Sequence, residues 1–241
     1  MSNESVLSVR RDQGVVVLTL NRPDARNALN IALTRALTEQ FRIFGDDETL
    51  RAAVITGSDP AFCAGLDLKD FSDANSPRGE VSALLALVPE LKKPVIAAVN
   101  GAAMTGGLEL AMGCDFIIAS DKARFGDTHT KIGALAGGGM NSRLPRKVGM
   151  AWAKQMIFTC LPIDAATALR IGLANEVVTH DQLVTRAIEL ARAIAAHDPG
   201  LVLLVKQTLD QGGMATLGEA IALERQALAD RKAKGGMQWK K

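Results

Sequence analysis

Apolar and polar positions along this chain follow two rhythms. Short apolar runs at residues 15–20, 52–56, 95–99 and 116–119 carry few or no polar interruptions. The first three are closed by turn formers: Asn21-Arg22-Pro23, Gly57-Ser58-Asp59-Pro60 and Asn100-Gly101. Runs of that length with such boundaries predict buried strands. Between them, apolar residues recur at helical spacing. Leu33, Leu37, Phe41 and Phe44 mark one face of residues 30–44, and Val81, Leu84, Leu85, Val88 and Leu91 mark another after a polar loop at 72–79. Strands alternating with helices predict an α/β fold with parallel pairing. After about Gly149 the pattern turns mainly helical, with Asp164 as an N-cap, a stripe of Leu183, Ala187, Leu190 and Ile194, and a last helix over 217–231. Repetition is a loose ββα-like alternation, and no Pro- or Ser-rich linker cuts off an independent domain.

The run at 95–99 passes through Gly101-Ala102-Ala103-Met104-Thr105 into Gly106-Gly107-Leu108-Glu109, which reads as strand, tight turn and helix start. The first N–H groups of a helix lack intrahelical partners and lie at its positive end, and glycine lets another group approach them closely. Glu109, one turn along, can share a face with the Gly106 N–H. A donor and a carboxylate aimed at one spot suit chemistry in which an oxyanion develops beside a transferred proton. The same residues also fit an ordinary helix start, with Gly106 as cap and Glu109 favoured by the dipole. A second glycine turn, Phe62-Cys63-Ala64-Gly65-Leu66-Asp67-Leu68-Lys69, follows the second strand. Its small residues allow the Leu66 N–H to face outward, and Lys69 is within reach of an anionic group. Two backbone donors from two such turns are the minimum that holds one oxyanion.

Composition narrows the picture. The 241 residues suit one large domain, or one domain with a short appendage. The chain is 48% hydrophobic but 4% aromatic, without tyrosine, so the core is aliphatic. Lys+Arg 28 against Asp+Glu 26 gives a net charge of +2, no global pull toward nucleic acid, and the basic cluster from Arg231 to Lys241 reads as a solvated tail. Cys63, Cys114 and Cys160 are widely spaced, with neither a CxxC pair nor a nearby histidine, which predicts no disulfide framework, no zinc site and a reducing compartment. The polar residues 1–14 lack the apolar segment of a signal peptide, and no run approaches the ~18 residues of a membrane span. A cytoplasmic protein is the expectation. The glycine-rich stretch 133–141 lacks the Lys-Ser/Thr of a phosphate loop. His180 and His197 read as surface residues near helix ends, Cys114 as packing, and Arg143, Arg146 and Lys147 as an exposed helix start.

Several segments in order carry a resemblance. Asn21-Arg22-Pro23, Arg26-Asn27-Ala28-Leu29-Asn30, residues 61–69 and 100–115, Ala123-Arg124-Phe125-Gly126, and Gly172-Leu173-Ala174-Asn175-Glu176-Val177-Val178 together resemble the enoyl-CoA hydratase/isomerase (crotonase) superfamily. The resemblance implies an α/β crotonase spiral of ββα units over residues 1–178, holding an acyl-CoA site. A helical region over 179–241 would then pack homotrimers, often paired into homohexamers. It places Leu66 and Gly106 at the two N–H donors for the thioester oxygen, and Glu109 at the first of the two hydratase glutamates. Arg26 and Lys69 match positions near the phosphates and nucleotide of coenzyme A, and Ala64, Leu66, Asp67 and Leu68 fall in the segment lining pantetheine and adenine. Residues 133–141 match the turn into a helix that lines the acyl pocket. The position of the second hydratase glutamate is occupied by His129, in Asp127-Thr128-His129. His129 reads either as the second proton-transfer group, since imidazole titrates near 6.5, or as a loop residue beside a single acid/base group. The implied activity is hydration of a trans-2-enoyl-CoA in fatty acid metabolism. Isomerisation by Glu109 alone and a non-catalytic acyl-CoA carrier or scaffold are the alternatives. No metal or redox cofactor is implied, because coenzyme A arrives as part of the substrate.

Overall fold

The structure is a computed structural model that describes residues 5–71, 76–233 and 235–236. Its first compact unit runs to Ala195 and its second from Ala196. The first unit opens with a hairpin, β1 (Leu7–Asp12) and β2 (Val15–Leu20), followed by helix α1 (Ile31–Asp46). Three strand pairs come next, each leading into a helix: β3 (Ala52–Gly57) and β4 (Ala61–Cys63) before α2 (Arg78–Glu90), β5 (Val95–Val99) and β6 (Ala102–Met104) before α3 (Gly106–Gly113), and β7 (Phe116–Ser120) and β8 (Arg124–Gly126) before α4 (Met140–Val148). Helix α5 (Met150–Thr159), strand β9 (Ile163–Asp164), helix α6 (Ala165–Arg170), strand β10 (Glu176–Val178) and helix α7 (Leu183–Ala195) complete the unit.

In every pair the first strand joins one sheet and the second joins another. The larger sheet runs β1-β2-β3-β5-β7-β10 and the smaller β4-β6-β8-β9. Apart from the β1–β2 and β8–β9 pairs, neighbours are parallel. This is the ββα spiral that the sequence resemblance implies. Both faces of its central strands β2, β3, β5 and β7 are covered, which explains why they read as unbroken apolar runs. Along β2, Val16, Leu18 and Leu20 enter the main core with Leu33, Leu37, Phe41 and Phe44 of α1. Val15 and Val17 face the opposite side and pack with Leu183, Ala187 and Ala191 of α7. Helix α1 starts where a side chain caps it, with Asn30 Oδ1 accepting from Leu33 N at 2.9 Å. Asp164 caps α6 in the same way through Thr167 N at 2.8 Å.

The expected boundary at Val178 lies before α7, whereas the first compact unit extends through it. The stripe Leu183-Ala187-Ala191 buries against the sheet, so this helix belongs to the α/β core. The second unit contains α8 (Pro199–Gly212) and α9 (Leu217–Ala233). Thr216 and Glu219 form a capping box at the start of α9, with Thr216 N donating to Glu219 Oε2 at 2.8 Å. Arg231 and Lys232 lie in α9, and the basic tail beyond residue 236 is outside the described residues, as are residues 72–75 of the polar loop. No described helix is long and apolar enough to cross a membrane.

Candidate active site

The site begins with a turn at residues 22–29. Buried Asn27 stitches it to the β3–β4 connection: its Nδ2 donates to Ser58 O (2.7 Å) and Ala61 O (2.6 Å), while its Oδ1 accepts from Arg22 N (2.8 Å). Once held there, residues 26–29 pair with the segment after β4. Ala64 N donates to Arg26 O at 3.0 Å, Leu29 N to Gly65 O at 2.7 Å, and Asp67 N to Leu29 O at 3.0 Å. In such a parallel bridge the residue between the bonded groups turns its own N–H the other way. That residue is Leu66, and its N–H has no acceptor among the described residues.

The second turn adjoins the first. Thr105 N donates to Gly126 O at 2.9 Å, closing the β6–β8 ladder, and α3 starts at the next residue. The Gly106 N–H, in the first helical turn, has no acceptor among the described residues. Thr105 has φ 46° and ψ −114°, a left-handed backbone that a β-branched residue rarely adopts. Gly65 has φ +97°, and a Cβ on it would lie 2.0 Å from Thr105 Oγ1 and 3.3 Å from Gly106 N. Only glycine permits this approach, which sets the two free donors on abutting backbones.

Glu109 lies one turn into α3 and is 2% exposed. Its Oε1 accepts from Gly138 N at 2.8 Å and Met140 N at 3.0 Å, the second of these at the positive end of α4. Burial pushes the Glu109 carboxyl above its ordinary range, against the opposing pull of the Met140 and Gly138 N–H groups and of His129, with the Asp127 charge adding to the rise. The loop that grips Glu109 is itself gripped, since Arg143 Nη1 donates to Gly138 O at 2.8 Å. Gly137, Gly138 and Gly139 of this loop line a cavity of ≈ 260 Å³ together with Ser82, Ala86, Ser142 and Arg143.

His129 follows β8. Its Nδ1 lies 2.5 Å from Oδ1 of Asp127, which is 1% exposed. The hydrogen bond to Asp127 raises the imidazole above its usual range, and the charges of Asp127 and Glu109 add to this, against burial. Glu109 and His129 therefore act on each other: a carboxylate made more basic by burial faces the field of an imidazole made more readily protonated.

The remaining predicted residues rim the Leu66 turn. Arg26 and Lys69 are exposed, and Leu68 is 59% exposed. The Asp67 carboxylate is engaged within the protein, paired with Arg22 at 2.9 Å and accepting from Lys69 N at 3.2 Å. Burial would raise Asp67, but Arg22 and the Lys69 N–H hold it below the usual carboxylate range.

Residues 10–239 match the family model for enoyl-CoA hydratase/isomerase. A short-chain-enoyl-CoA hydratase of Clostridium acetobutylicum is 39% identical, covering 92% of this chain and 87% of that protein. A 2,3-dehydroadipyl-CoA hydratase of Escherichia coli is 38% identical, covering 92% and 88%. The chain belongs to the enoyl-CoA hydratase/isomerase family. Its fold is correspondingly that of a solved enoyl-CoA hydratase from Bacillus anthracis, with a TM-score of 0.89 at 35% identity over 93% of this chain and 90% of that one.

Within this family member, some site-building residues escape a reading of the sequence. Asn27 and Arg22 shape the Leu66 turn, Gly138 and Met140 fix Glu109, Arg143 fixes Gly138, and Asp127 fixes His129. The glycine-rich stretch was the available signal for the Glu109 clamp. The weaker candidates take structural roles: His180 bridges Asp59 Oδ2 (3.0 Å) and Ser120 Oγ (3.1 Å), and Cys114 is buried. Burial pushes the Cys63 thiol up to about 12, so it is no nucleophile. Among the described residues, no group of three or more His, Cys, Asp or Glu side chains could hold a metal ion.

Proposed function

We propose that this chain binds acyl-CoA thioesters of fatty acid metabolism and hydrates a trans-2-enoyl-CoA. The observation that carries the reading is the pair of N–H groups, Leu66 and Gly106, that lack a partner among the described residues and lie on abutting turns, with Gly106 one helical turn from buried Glu109. A thioester oxygen seated on both donors draws charge from the conjugated alkene, makes its β-carbon electrophilic and stabilises the enolate that forms. Glu109 takes a proton from water as the oxygen attacks the β-carbon. His129 gives a proton to the α-carbon, and proton return from Glu109 to His129 through solvent resets the pair. The directions of both shifts favour these roles, since a raised carboxylate is the stronger base and a raised imidazole holds its proton to higher pH than a free one.

On this reading Arg26 and Lys69 attract the coenzyme A phosphates, and residues 64–68 line its pantetheine arm. Asp67 shapes that segment through Arg22 and leaves the ligand contacts to its neighbours. Coenzyme A enters as part of the substrate, no other cofactor takes part, and the protein works in the cytoplasm as a homotrimer or a pair of trimers. The test is a crotonyl-CoA absorbance assay run beside an acyl-CoA binding titration. Hydration supports the proposal, a shifted double bond without added water supports an isomerase using Glu109 alone, and tight binding without turnover supports a carrier.

A further inference from the structure

The Asp127–His129 pair has the form of an oriented acid/base group. Asp127 is almost wholly buried, and a buried carboxylate is stable only when paired. Among the described residues its hydrogen-bond partners are both in His129: Nδ1 at 2.5 Å and the backbone N at 3.4 Å. The pair is also well placed. Asp127 follows Gly126, which pairs with Met104 across the β6–β8 ladder and accepts from Thr105 N. The strand end that leads to Gly106 is thus hydrogen-bonded to the strand end that leads to Asp127. The charged groups acting on His129 come from both elements, Asp127 on its own loop and Glu109 on α3.

We propose that Asp127 is a positioning residue for the reaction: it holds the proton of His129 on Nδ1, so that Nε2 is the ring nitrogen that exchanges a proton with the bound thioester. This rests on the hydratase reading above and specifies its second acid/base group as an imidazole–carboxylate pair. A carboxylate that accepts from one imidazole nitrogen selects the tautomer and stabilises the imidazolium without taking the proton itself. In hydration the imidazolium Nε2–H bond breaks as the α-carbon–hydrogen bond forms, the enolate pair supplies the electrons, and neutral imidazole remains with its proton on Nδ1, still donated to Asp127.

The test is a nitrogen NMR titration of the full-length protein beside crotonyl-CoA kinetics for wild type, Asp127→Asn and Asp127→Glu. The chain has three histidines, and His129→Gln assigns the signal. The wild-type neutral ring should carry its proton on Nδ1. In Asp127→Asn the amide donates to Nδ1, so the proton should move to Nε2 and the midpoint should fall. The kcat should drop about 10²–10⁴-fold with KM little changed, and the alkaline limb of the pH profile should move to lower pH. Asp127→Glu should recover part of the loss. A wild-type ring protonated on Nε2, or a kcat that survives tautomer reversal, overturns the proposal. An absence of wild-type turnover overturns the hydratase reading, and the titration then still decides on which ring nitrogen Asp127 holds the proton.

Discussion

Replacing Gly138 by alanine should damage the chemistry far more than the fold. Gly138 does not have a positive φ, so alanine is compatible with its backbone. The added Cβ would lie 2.8 Å from Glu109 Cδ and Oε2 and 2.4 Å from Leu85 Cδ1. Both neighbours are ends of flexible side chains, so they yield and the backbone does not. Ordinary contact begins at 3.4 Å, so the carboxylate must retreat by about 0.6 Å, the difference between 3.4 and 2.8. Its bonds to Gly138 N and Met140 N, now 2.8 and 3.0 Å, would then stretch past the ~3.2 Å limit of a good N–H···O bond. A hydrogen bond to a charged group contributes about 1.5–3 kcal/mol, and its loss would push Glu109 further above the ordinary carboxylate range. Because a misplacement of ~1 Å costs on the order of 10² in rate, kcat for crotonyl-CoA hydration should fall between about 10- and 100-fold. Calorimetry should show a single cooperative transition with Tm lowered by several degrees, since ~1 kcal/mol moves it by about 2–4 °C in a domain of this size, and acyl-CoA affinity should stay near wild type. An unchanged kcat in a folded variant would refute the claim that the Gly138–Met140 clamp sets the base.

Glu109→Gln keeps an oxygen for both backbone donors but removes the base, so activity should fall by at least about 10²-fold. The folded-state pKa of Glu109 is raised, so its favourable contribution is complete below the unfolded-state value and is lost as pH rises through the folded one. The glutamine variant should therefore be the more stable at neutral pH, with the advantage vanishing in acid; urea titrations at two pH values check the sign. Gly106→Pro deletes one N–H, and a Cβ there meets nothing nearer than 3.6 Å. Hydration should drop about 10²–10³-fold while coenzyme A binding persists, and full activity in the folded variant would remove Gly106 from the thioester site. Light scattering at micromolar concentration should give three or six subunits, and a monomer would reject the proposed assembly.

Sequence alone determined the elements whose physics is local. Residues 15–20, 52–56, 95–99 and 116–119 announce strands because a central parallel sheet buries both faces and leaves unbroken apolar runs. The stripe of α1 and the Asn30 and Asp164 caps were legible for the same reason: spacing and capping chemistry act within a few residues. The two glycine turns could be read because close backbone approach demands glycine, as Gly65 against Thr105 demonstrates. Tertiary structure decided what no short window contains. Strands β4, β6 and β8 have three residues each, too few to show a period, and exist because neighbours supply their ladders. Helix α7 carries the same stripe whether it docks on a sheet or on another helix, and only the second apolar face of β2, β3, β5 and β7, which it buries, assigned it to the core. The Glu109 carboxylate is held by donors 29 and 31 residues away. His129 gained its meaning from a buried carboxylate two residues before it, a contact that the loop's fold creates and its composition does not reveal.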